Sequence, residues 1–154
     1  MPPRRPDPRG PESVATVLRA LDAGAPVDPE AQRVAARYLL YALAARHPGR
    51  VLEVRVPPMA AVQCLPGPVH TRGTPPNVVE TDPETWIRLA AGRLDWADAV
   101  RSGAVHASGP RADLGAYLPL LGALFRIGCE YGPSARASGR CRRAPDLDLN
   151  NANF

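Results

Sequence analysis

At 154 residues and 45% hydrophobic content the chain fits one domain, whose core can hide roughly two thirds of the unfolded surface. No apolar run approaches the ~20 residues that cross a bilayer, and Met1 to Gly10 carries prolines and arginines where an export signal would be hydrophobic, so a soluble, unexported, cytoplasmic protein is expected. The net charge of +4 sits mainly in the ends: Arg4, Arg5 and Arg9 against Asp7 give the lead +2, residues 129–154 carry +1, and the near-neutral body excludes a basic nucleic-acid-binding domain.

Residues 1–11 hold five prolines and read as a disordered Pro/Arg-rich lead. Ser13 can cap a first helix whose Val14, Val17, Leu18 and Leu21 form one stripe, stopped by Gly24. Asp28-Pro29-Glu30 supplies cap, first-turn proline and first-turn acid for a second helix to about Arg46. Val51 to Val56 alternates, with Leu52, Val54 and Val56 on one side and Glu53 and Arg55 on the other, as a strand covered on one face does. Met59 to Leu65 offers a second, less regular strand, and Asn77 to Glu80 a short third one after the Pro75-Pro76 loop. Asp82 with Pro83 opens the next helix, although Thr81 and Glu84 also fit a capping box one residue earlier, and its buried side is Trp86, Leu89 and Ala90; Leu94, Ala97 and Val100 continue in a shorter helix ended by Gly103. Ala104 to Ser108 is the last strand and Ala112 to Ile127 the last helix, kinked at Pro119. Residues 12–128 thus form the domain, and residues 129–154 read as a disordered tail.

Thr81-Asp82-Pro83-Glu84-Thr85-Trp86, Ala91-Gly92-Arg93-Leu94, Trp96-Ala97-Asp98-Ala99 and Val105-His106-Ala107-Ser108-Gly109, followed by Leu114 and Tyr117-Leu118-Pro119-Leu120, make one supersecondary unit. With Val54-Arg55-Val56-Pro57-Pro58 and the run from Arg72 to Glu80, this unit resembles the sterol carrier protein family in its short actinobacterial form, over roughly residues 10 to 121. The resemblance implies an α+β fold with a mixed, roughly five-stranded sheet covered by helices, a hydrophobic cavity for an apolar ligand, no cofactor and no built-in chemistry. Related bacterial proteins that append such a domain to a thiol-dependent isomerase carry a separate helical metal-binding domain. Nothing here corresponds to that segment, so the resemblance does not bring the isomerase activity with it.

Trp86, Leu89, Leu94, Val100, Val105, Leu114, Leu118 and Leu121 are the candidate cavity lining, and the same residues can fill one another's space as a dense core. A bound fatty-acyl, isoprenoid or sterol-like molecule would gain roughly 25 cal/mol per Å² of apolar area buried. Arg72, in the polar Arg72 to Asn77 loop, offers a bidentate fork to a carboxylate or phosphate head, or simply belongs to a turn in which Asn77 bonds local backbone. Trp86 and Trp96 suit core anchors or the flanks of a pocket mouth. Cys64, His70 and His106, oriented by Glu80 or Asp82, are the one combination with nucleophile potential, although a cysteine on a half-buried strand is ordinarily an inert small hydrophobe. An odd number of cysteines without CxxC spacing points to neither a disulfide framework nor a zinc ribbon, and no His-Glu-x-x-His or phosphate-loop motif occurs. Arg140, Arg142 and Arg143 read as solvated charge. The other function class is an interaction module with a filled core, docking a partner or a second copy through Leu120, Leu121, Leu124 and Phe125 of the closing helix.

Overall fold

A computed structural model describes residues 7–68 and 77–122. The chain order is α1 (Gly10–Asp22), α2 (Pro29–Arg46), β1 (Leu52–Val56), β2 (Ala60–Cys64), β3 (Val78–Thr81), α3 (Pro83–Ala90), α4 (Trp96–Arg101) and β4 (Val105–Ser108). Asp28 caps α2 as its sequence predicts, its side chain accepting from the Ala31 N–H at 2.8 Å. Asp82 does the same for α3 through Thr85 N–H at 3.0 Å. α1 starts three residues before the expected Ser13 cap, so Gly10 and Pro11, read as part of the lead, already belong to it. Arg9 takes the cap position without a side-chain bond, and the turn before it is held by Asp7, which accepts from the Arg9 N–H and pairs with its guanidinium.

The strands lie in the order β2-β1-β3-β4, antiparallel at both edges and parallel between β1 and β3. The fold is α+β with a mixed sheet, as expected. Four strands are present among the described residues, the same four that alternation and turn signals mark, and the fifth strand implied by the resemblance is not among them. Leu52, Val54 and Val56 of β1, Val79 of β3 and Val105 of β4 point to the helical side and join Val14, Val17 and Leu18 of α1, Leu39, Leu40 and Leu43 of α2, and Trp86, Ile87 and Leu89 of α3 in one buried cluster. The opposite face carries Glu53, Arg55, Glu80 and His106, with Arg55 paired to Glu53 and Glu80 opposite both Arg55 and His106.

The closing helix expected from Ala112 is not formed over its described part. Residues 112–122 make one turn, in which Tyr117 and Leu118 donate to the Leu114 carbonyl at 2.9 and 3.1 Å, and then cross to α3. There Leu120 and Leu121 both donate to the Ala90 carbonyl, at 2.9 and 3.1 Å, satisfying the last turn of α3. The cause is local. Pro119 has no N–H to continue a helix and pushes Leu118 out of helical backbone, so the apolar spacing that resembles a helix stripe instead seats Leu114 and Leu120 separately in the core. Arg46 donates to the Leu120 carbonyl, and Tyr117 packs edge-on against His47 at 4.8 Å between ring centroids, so the segment is tied to the end of α2 as well.

Candidate cleft between the third and fourth helices

α3 ends at Ala90, and Gly92 follows with φ 72°, a left-handed turn that a side chain would strain. Arg93 N–H returns to the Arg88 carbonyl at 2.8 Å, and Asp95 then opens α4, its Oδ1 accepting from both the Ala97 and Asp98 N–H groups at 2.8 and 3.2 Å. This break aims Leu89, Leu94 and Trp96 at one another across the gap between the two helices. Gly115, Leu118 and Pro119 of the C-terminal segment form the facing wall, and Arg93 and Asp95 complete a cleft of about 240 Å³. Gly115 keeps this wall close: a Cβ there would stand 3.0 Å from Cδ1 of Trp96 and 3.1 Å from the Asp113 carboxylate, tight enough that a side chain must give by a few tenths of an ångström. The N–H of Gly115 is bound by that same carboxylate at 2.7 Å.

Of the eight apolar residues expected to line a cavity, Leu89, Leu94 and Leu118 converge here. Trp86, Val105 and Leu114 are instead core residues, all at most 2% exposed. The Trp86 indole N–H finds its partner in the Ala36 carbonyl of α2 at 3.2 Å, which makes it the anchor between α2 and α3. Leu121 is half-buried against the core. Val100 is 39% exposed, because the short α4 buries Ala99 and turns the next residue to solvent. Arg72, Leu124 and Phe125 lie outside the described residues. Arg93, Asp95, Gly115 and Pro119 were not singled out as lining, and the sequence signals for them were the Gly92-Arg93 break and the capping position of Asp95.

The combination of Cys64 and His106 is not brought together. Cys64 is on edge strand β2 and His106 on the opposite edge β4, so three strand spacings, roughly 14 Å across the sheet, lie between their strands. They also point to opposite faces: Cys64 is fully buried beside Leu52, and His106 is exposed beside Glu80. Burial pushes the Cys64 thiol up to about 11, which keeps it protonated at neutral pH. Asp82 is committed to the α3 cap, and His70 lies outside the described residues. A second cleft of about 330 Å³, lined by Pro57, Glu80, Thr81, Asp82, Gly103, Ala104 and His106, opens at the sheet end where β3 runs into α3. Its deepest polar group is already bonded, Thr81 Oγ1 donating to the Ala104 carbonyl at 2.8 Å.

A profile of bacterial orthologues of the sterol carrier protein matches residues 28–120, which runs from the cap of α2 to the residue that closes on α3. The chain belongs to this sterol-carrier-like family. The match takes in the whole sheet, the cleft and the C-terminal turn and leaves out only α1 among the described elements, so the sterol-carrier-like unit includes every residue that lines the cleft. No curated protein matches the chain. No helix among the described residues is long and apolar enough to cross a membrane.

Proposed function

We propose that this sterol-carrier-like domain binds a lipid or comparable apolar molecule and releases it unaltered, and that the binding site is the cleft between α3, α4 and the C-terminal turn. The observation that carries this reading is the convergence of the half-buried Leu94, Trp96 and Leu118, floored by the buried Leu89, on one open cleft within the matched family region. A ligand tail laid along these side chains leaves water without requiring the protein to unpack, because Trp86, Val105 and Leu114 beneath them are already in contact with the core. The absence of turnover is part of the proposal and is supported by the protonated, enclosed Cys64 and its distance from His106. Native mass spectrometry of the full chain from its own host should show a co-purified apolar mass. Leu94→Arg, which places charge in the cleft at a partly buried residue on the margin of the core, should lose that mass while the variant still unfolds in one cooperative transition. Retention of the mass by the variant, or a ligand-free wild type that takes up no hydrocarbon probe, would refute the assignment.

A further inference from the structure

The Glu53 N–H goes to the Asn77 carbonyl at 3.0 Å, so Glu53 and, two residues on, Arg55 direct their backbone groups towards β3. In an antiparallel pair a residue turned away from the neighbouring strand stands opposite one that is also turned away. Gln63 and Ala61, the register partners of Glu53 and Arg55, therefore aim their N–H and C=O groups out of the sheet. Both residues are exposed, and these backbone groups have no hydrogen-bond partner among the described residues.

Soluble sheets ordinarily guard such an edge with a charged side chain, a proline or a bulge. Ala60-Ala61-Val62-Gln63-Cys64 contains no charge and no proline, and its register with β1 runs without interruption. The other edge differs. There the same alternation turns Val105 and Ala107 of β4 outward, and Val105 is 2% exposed, so part of that edge is already covered.

The free groups on β2 are also self-complementary. An antiparallel second copy centred on Val62 sets Ala61 against Gln63 of the partner subunit and Gln63 against Ala61 of the partner subunit, which pairs every outward donor and acceptor. Centring on Ala61 instead sets Gln63 against Met59, whose N–H already goes to the Val56 carbonyl at 2.7 Å. Centring on Gln63 sets Ala61 against Leu65, whose N–H goes to the His47 carbonyl at 2.8 Å and whose carbonyl accepts from Val51. A two-fold axis sets like residues near one another, and a strand without charge brings no repulsion to it.

We propose that β2 is a homodimer edge, joining the sheets of two copies of this chain antiparallel about a two-fold axis at Val62. Neither β1 nor β2 supplies a residue to the cleft, so the inference is independent of the carrier reading and each copy keeps its own cleft. A single short strand makes a small interface of the transient class, so association is expected between about 10 μM and 1 mM.

The test is sedimentation of the full chain across that range. The wild type should shift from monomer towards dimer. Ala61→Pro removes an outward donor that β1 does not use, and should weaken association at least about tenfold while the urea midpoint stays near that of wild type. Val62→Cys reports the register: residues facing each other in a non-bonded antiparallel pair have Cα atoms about 4.5 Å apart, within disulfide reach, so mild oxidation should yield a dimer bridged between the two position-62 thiols, identified by peptide mapping. A wild type that stays monomeric throughout, as when another segment occupies the edge, overturns the proposal. So does a dimer that survives Ala61→Pro, or one whose Val62→Cys variant forms no such bridge. If Ala61→Pro does not fold, the wild-type mass and the bridge decide it together.

Discussion

The Asn77 side chain is 4% exposed and occupied at both ends, Nδ2 donating to the Val51 carbonyl at 2.9 Å and Oδ1 accepting from the Arg111 N–H at 2.9 Å. Its own carbonyl accepts from the Glu53 N–H at 3.0 Å. One amide therefore joins the entrance to β1, the entrance to β3 and the exit from β4, three chain segments that have no direct covalent connection nearby. Sequence reasoning marks Asn77 only as a turn residue that bonds its neighbours, because its partners lie 26 and 34 positions away and no local pattern announces them. Asn77→Ala strips partners from two backbone groups at a buried site and should lower unfolding free energy by about 3 kcal/mol, read from the urea midpoint at unchanged slope. A loss under about 0.5 kcal/mol would mean that water replaces the amide without cost.

Among the elements, those whose boundaries are written in local chemistry were legible, and those decided by a distant contact were not. β1 follows its alternation because one face meets the helices and the other meets water, whereas the less regular β2 buries only Cys64 fully and β4 only Val105. α2 and α3 follow their Asp-Pro starts. By contrast, leucine spacing at Leu114, Leu118 and Leu121 is compatible with a helix, and only Pro119 together with the Ala90 carbonyl that receives Leu120 and Leu121 explains the turn that forms instead. α1 begins before its expected cap because Asp7 and Arg9 build a turn that Ser13 has no part in. The caps permit a sharp comparison within one element. Asp28→Ala should cost about 1 kcal/mol, whereas Asp28→Asn, which keeps an acceptor for the Ala31 N–H, should cost no more than about half of that in the same urea series. Equal losses would show that the charge of Asp28, not its hydrogen bond, starts α2.

At the scale of the whole molecule, hydrophobic pattern reports what will be buried and is silent on whether the buried space is filled. That is why Trp86, Val105 and Leu114 joined the core while Leu94 and Leu118 reached a cleft, with Leu89 buried at its floor: the difference lies in the Gly92 turn and the Gly115 wall, which hold two helices and a loop apart. The filled core also fixes how global stability responds to alkali. Cys64 is moved by burial from 9.0 to about 11, and Tyr38, whose ring lies against Gly10 so closely that a Cβ there would be 2.2 Å from it, is raised by burial against a smaller opposing effect of Arg46. Between 9.0 and about 11 the unfolded chain has released the Cys64 proton and the folded chain still holds it. The unfolded state then binds fewer protons, so stability falls as pH rises. The contribution is complete below 9.0 and is eroded up to about 11. Cys64→Ala removes this dependence while creating a small cavity, so the variant should be less stable than wild type at neutral pH and the gap between them should narrow as pH climbs through that window. Urea midpoints measured under reducing conditions from neutral pH to the top of the window will show converging curves if Cys64 titrates in its buried site. Parallel curves would mean that the thiol reaches water in the folded protein, and that β2 does not seal the edge of the core.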